Sequence, residues 1–267
     1  MNKFALLIFI TLFGFVYSNA QYNKEFGSTD ECYGKTFTLV AWVLTDTTNE
    51  YSPLTESQVA SAIETVNSKF SGICVDFKLC EFNVLPNHRQ DKLTKGVHDE
   101  EIAALYRKKN VINLYFAKEI ENKDPTPGPC GYAPMGSILT PSDTNLRDAI
   151  FFQKDCFSSG VLAHELGHYF GLYHTFETAA FGAESADGSN CATTGDLVCD
   201  TQADPKGSID SECHLDPEPV DLVPGLYYEP PVCNIMSYYN PTCDQFFTRG
   251  QLDRMLMIMK TGRSYLW

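Results

Sequence analysis

HELGHYFGLYH, residues 164–174, decides the reading of this chain. On an α-helix His164 and His168 lie about one turn apart and point the same way. Two imidazoles at that spacing can hold one zinc ion, and Glu165 stands beside them, able to reach a water at the metal as general base. A third ligand on the same straight helix would point in the wrong direction. Gly171 supplies the break, because glycine adopts the left-handed conformation that turns the chain sharply. His174 can then swing back to the metal. Three protein nitrogens and one open position make the arrangement of a catalytic zinc, which acidifies water and polarises a carbonyl. A purely structural site needs no base, so Glu165 argues for catalysis. A gluzincin-type peptidase, with a distant Glu as third ligand, is disfavoured because His174 already fills that role. His88, His98 and His214 have no ligand-like spacing and read as surface residues.

The helix that carries the motif is expected to start at Ser158 or Ser159 and to run through 170. Before it come a β-branched and aromatic strand over 35–46, then a helix opened by the capping box Thr55-Glu-Ser-Gln58. Val59, Ile63, Val66 and Phe70 recur there at helical spacing, and Gly72 ends the run. ICVDFKL (73–79) alternates as a half-buried strand. A helix at about 99–109, a strand at 111–117, a Pro/Gly loop at 124–137 and a short strand at 148–153 follow. Residues 177–232 read as irregular, and a second capping box, Thr248-Arg-Gly-Gln251, opens a last helix to about 261. The order predicts an α/β or α+β fold: a twisted mixed sheet with an active-site helix, then an irregular, disulfide-tied lower part ending in a helix.

Residues 1–20, MNKFALLIFITLFGFVYSNA, read as a secretory signal peptide: one Lys, an apolar run, then small or polar residues up to Ala20. Residues 21–34 read as a short arm or pro-segment. The expected catalytic domain spans 35–262, its upper part to about 174 and its lower part from about 175. The formal charge is -14, or -15 without Lys3, which argues against nucleic acid or an anionic membrane as partner. Ten cysteines behind a signal peptide predict five disulfides in an extracellular protein. Cys74 and Cys80, roughly 20 Å apart on a straight strand, are expected to bond to other cysteines. Parity favours a disulfide for Cys32 over a cysteine switch on zinc.

HELGHYFGLYHTF, then GDLVCDT (195–201), NIMSYY (234–239) and FFTRGQLDRM (246–255) resemble the pappalysin family of metzincin zinc metalloproteases. SGICVDFKLC and CGYAPMG are similar to its upstream half, so the resemblance covers roughly 35–260. It implies zinc ligation by His164, His168 and His174, with Glu165 as general base and acid. It implies that Met236 forms the methionine turn beneath the histidines, and that Tyr238 stabilises the oxyanion. It further implies calcium held by Asp196, the Val198 carbonyl, Asp200 and Thr201, and disulfides Cys191–Cys233 and Cys213–Cys243. Cys199 falls outside that pattern. Relatives that cleave before Arg or Lys carry an acidic residue just before the cysteine after the methionine turn. Here that residue is Thr242, which argues against a basic S1′ preference. The whole reads as a monomeric secreted zinc endopeptidase acting on proteins or peptides by a zinc-activated water. An upper strand near 111–117 or 148–153 is the expected place for substrate to add. The alternative is a catalytically silent secreted module on the same fold.

Overall fold

The computed structural model describes residues 32–45, 54–85, 91–124, 126–139, 142–209, 215–216, 225–239 and 243–267. The expected signal peptide and most of the expected arm lie outside them, as do His88, His214, Cys213 and Thr242.

Five strands make the main sheet: β1 (Lys35–Leu44), β2 (Val75–Leu85), β4 (Ile112–Ala117), β6 (Gly131–Tyr132) and β7 (Ala149–Gln153), in the order β2-β1-β4-β7-β6. All neighbours are parallel except β6, which runs antiparallel to β7. Short strands β3 (Lys92–Thr94) and β5 (Glu119–Glu121) pair beside it. INLYFA of β4 is buried at every position, as expected for a parallel strand covered on both faces. Alternation along the strands feeds two cores. Leu39, Ala41, Val43, Leu114 and Phe116 pack with helices α1 (Glu56–Phe70), α3 (Ser159–Tyr169) and α4 (Arg249–Lys260). Val40, Trp42, Tyr115 and Phe151 pack with α2 (His98–Tyr106) on the other face.

Both capping boxes form. Thr55 and Thr248 each accept from the backbone of the residue three places on, Gln58 or Gln251, whose side chain accepts from the cap's own N–H. Helix α1 ends at Phe70, before Gly72. A 3₁₀ turn, Ser71–Ile73, then buries Ile73, and Cys74 takes the left-handed conformation at φ 53°. β2 therefore starts at Val75, two residues later than the alternation suggested. The Cys32–Cys74 disulfide fastens this turn to the start of β1.

The cysteine expectations need correction. Cys191 pairs with Cys199 and Cys233 with Cys243, in place of Cys191–Cys233 and Cys213–Cys243. Both observed bonds close short loops, eight and ten residues apart, so local turns bring the sulfurs together. Cys130 pairs with Cys156, and four disulfides stand among the described residues. Cys80 is exposed and unpaired among the described residues. It is the extra residue where the β1–β2 register slips between Leu79 and Glu81. The expected substrate strands are also corrected: β4 and β7 are both interior, and β6 is the edge strand.

The lower part is irregular, with only the two-residue strands β8 (Ser208–Ile209) and β9 (Leu215–Asp216) among its described residues up to 232. The C-terminal end of α3 is held from beneath. Tyr169 and Tyr265 hydroxyls donate to Asp148 Oδ1 at 3.0 and 2.5 Å, and the buried Arg263 guanidinium stacks over Tyr169 at 3.8 Å.

Candidate metal centre

Ser158 caps α3, accepting from the Val161 N–H, so the helix begins where the sequence placed it. His164 and His168 then project from one face, with ring centroids 4.7 Å apart. The helix stops at Gly171, whose φ is +92°. Leu172 N–H returns to Gly167 O, and Gly136 N–H, from the Pro/Gly loop, donates to His168 O at 2.9 Å. His174 is thereby turned back, and its Nε2 lies 3.1 Å from His168 Nε2. One nitrogen from each of the three rings falls within 4.8 Å of the others, the only such His/Cys/Asp/Glu group among the described residues.

The ring chemistry fits a metal. His164 Nδ1 meets the Ile235 carbonyl at 2.7 Å, and His168 Nδ1 meets the Leu172 carbonyl at 2.8 Å. A carbonyl only accepts, so each Nδ1 carries the proton and each Nε2 presents a lone pair. Burial, then repulsion between the rings, holds His164 down to about 4; the same causes and Lys206 hold His174 down to about 3. Burial lowers His168 as well. All three are neutral near pH 7, the form that ligates. Two nitrogens about 2.05 Å from a tetrahedral zinc sit roughly 3.3 Å apart. The 3.1 Å between His168 and His174 is close to that.

Glu165 is buried, and its Oε2 has no hydrogen-bond partner. Burial pushes its carboxyl up to about 8, with Lys95 pulling the other way. A buried carboxylate oxygen left without a donor is expensive unless a cation or water serves it. Gly131 of β6 passes close by: a Cβ there would lie 3.0 Å from Glu165 Cγ.

CNIMSYY wraps under this group. Met236 is fully buried, and a Cβ on Gly167 would lie 2.5 Å from its sulfur. The thioether therefore fills the space left by the glycine between the two helical histidines. Asn234 fixes the turn: its Oδ1 accepts from Met236 N–H, and its amide exchanges two hydrogen bonds with Gln251, at 2.8 and 3.1 Å. Thr175 N–H donates to Met236 O. Tyr238 lies over the site, 61 % exposed, its ring 4.7 Å from His174 and 5.6 Å from His164. Tyr239 instead turns inward and donates to Asp204. His164, Glu165, Gly131 and Tyr238 open onto a cleft of 510 Å³.

The acidic loop is only partly as expected. Asp196 is buried; it accepts from Val198 N–H and from Thr201 Oγ1, which also donates to Val198 O. Asp200 points elsewhere: it accepts from Thr248 Oγ1 and Gly250 N–H at 2.7 Å each, anchoring the start of α4. Its carboxylate belongs to a helix N-terminus, which attracts negative charge. Glu184, which sequence spacing gave no reason to single out, stands against this loop. A Cβ on Gly195 would lie 2.5 Å from its Oε2, and its Oε1 is buried without a partner. Burial, then the Asp196 charge, raises Glu184 to about 7; burial raises Asp196 to about 7. Arg254 ties loop and site together, donating to Gly171 O at 2.8 Å and Asp196 O at 3.4 Å.

Comparison with known proteins agrees with this geometry. The family described as Pregnancy-associated plasma protein-A matches residues 147–260, and the Metallo-peptidase family M12B Reprolysin-like matches 56–175. Over residues 147–260 the chain is similar to the pappalysin family, and over 56–175 to the reprolysin-like metallopeptidases. Both matched families are metallopeptidases, which together with the histidine triad supports a zinc protease. An extracellular metalloprotease of Pyricularia oryzae is 28% identical over 228 residues, covering 82% of this chain and 72% of that protein. One from Neurospora crassa is 33% identical over 153 residues, 54% of this chain and 46% of its own length. The chain thus spans under half of that relative. Among solved structures, Tannerella forsythia mature mirolysin in complex with a cleaved peptide superposes with a TM-score of 0.57 at 17% identity, covering 86% of this chain and 94% of its own. That likeness carries the fold. No helix among the described residues is long and apolar enough to cross a membrane.

Proposed function

We propose that this chain is a secreted zinc endopeptidase of the pappalysin family. The convergence of His164, His168 and His174 beside the unpartnered Glu165 Oε2 carries the reading. Those three nitrogens would hold a zinc ion, which would supply Lewis acidity to polarise a peptide carbonyl and acidify water. Glu165 takes the proton from the attacking water on Oε2 and delivers it to the nitrogen of the departing amine. Tyr238 donates its phenol hydrogen to the oxygen that becomes negative as the carbonyl is attacked. Met236 holds the α3 histidines in place from below. The free edge of β6, which runs past Glu165, binds the substrate backbone as an added strand.

Asp196, the Val198 carbonyl and Thr201 would hold a calcium ion, which would order the lower part. Glu184, whose buried Oε1 has no partner and which lies close enough to feel the Asp196 charge, would add a further hard oxygen. Cleavage of casein by the protein lacking its signal peptide tests the enzyme. We expect activity that a chelator abolishes and that Glu165→Ala removes without unfolding. Cleavage that survives both would refute the proposal.

A further inference from the structure

The cleft beside His164 does not end at Gln245. Gly160, Ile235 and Gln245 line both the 510 Å³ cleft and a 180 Å³ cavity beyond it. A Cβ on Gly160 would lie 3.2 Å from Gln245 Oε1, so the glycine leaves Gln245 room at the boundary the cleft and the cavity share. At the far side stand Lys69, from the last turn of α1, and Asp244, 2.5 Å apart. Lys69 is the more enclosed partner, 17% exposed against 92% for Asp244.

We propose that this ion pair closes the cleft with a charge-neutral wall. The pocket then receives uncharged substrate side chains and rejects Arg and Lys, and Lys69 sets that selectivity. The inference rests on the peptidase reading above. A cationic side chain reaching that wall sheds water and meets no net counter-charge from Lys69 and Asp244. Its nearest ammonium neighbour repels it, and unpaired charge in a half-closed cavity is a strong element of discrimination. Asp244 alone would be a good acceptor for Arg or Lys; Lys69 occupies it.

Cleavage of a peptide library by the full secreted chain, read by mass spectrometry, provides the test. The wild type should disfavour Arg and Lys at the residues flanking the scissile bond. Lys69→Met frees Asp244 and should raise kcat/KM for Arg and Lys peptides over Leu and Gln peptides by roughly 1.5- to fivefold, the range for an exposed pair. Asp244→Asn frees Lys69 and should shift the profile toward Asp and Glu. A wild type that prefers Arg or Lys overturns the inference, as do two folded variants with the wild-type profile. Those results leave the peptidase reading intact. No cleavage of any peptide by the zinc-loaded wild type overturns both.

Discussion

Replacing Gly136 with alanine should cost the protein much of its zinc affinity, although Gly136 touches no ligand side chain. Its missing Cβ is what lets the Pro/Gly loop approach the turn after α3. A Cβ there would lie 2.6 Å from Gly171 N and from Tyr169 O, and 2.8 Å from Phe170 C. These are backbone atoms and cannot rotate away. Ordinary contact begins at 3.4 Å, so loop and turn must part by about 0.8 Å. The same movement stretches the Gly136 N–H to His168 O bond. Gly171 redirects the chain toward His174, so the displacement falls on the third ligand. Metal–ligand distances tolerate about 0.2 Å, and loss of supporting contacts around a zinc ligand typically costs roughly 10- to 100-fold in affinity. Competition against a chromogenic chelator should show a loss in that range for Gly136→Ala, with folding checked by circular dichroism. A folded variant whose zinc affinity stays within about twofold of wild type would refute this account of how the turn places His174.

Other perturbations have defined outcomes. Met236→Ala empties a fully buried position under α3 and should lower stability by about 2–5 kcal/mol, read by denaturant titration. Tyr238→Phe removes the proposed oxyanion donor from an exposed ring, so kcat should fall about 10²-fold with KM nearly unchanged. Asp196 and Glu184 give a pH signature. Folding raises both to about 7, so the folded state holds their protons more tightly than the unfolded chain does. Their contribution to stability is full below about pH 4 and is lost as pH rises through 7. In calcium-free buffer, thermal unfolding should show that decline, and added calcium should cancel it. The three site histidines titrate in the same window with the opposite sign, so the decline is read against Glu184→Gln. A wild type that loses no melting temperature relative to that variant between pH 4 and 7 would contradict the assignment.

The convergence of His164, His168 and His174, with Glu165 beside them, was legible because it rests on short spacing in the chain, whereas Met236 was singled out only by the resemblance. HELGHYFGLYH needs only helix geometry and one glycine turn. The two capping boxes and the period-2 strands are equally local. What escaped depends on long-range placement. β6 is two residues in a Pro/Gly loop with no periodicity, and only its pairing with β7 makes it the edge strand. Asp200 looked like a calcium ligand, but the N-terminus of α4, nearly fifty residues on, takes its carboxylate. The disulfide pairs followed local turns that no cysteine count could rank. Lys69 and Asp244, 175 residues apart, meet only in the folded chain.

The central claim is that one metal bound by three histidines, with Glu165 beside it, cleaves peptides. Metal-stripped protein titrated with zinc tests it most directly, following bound zinc and peptide cleavage together. The account predicts activity that rises linearly and saturates at one zinc per chain. Glu165→Ala should bind the same single zinc and stay inactive. Activity in the metal-free protein, or full activity in zinc-loaded Glu165→Ala, would contradict it.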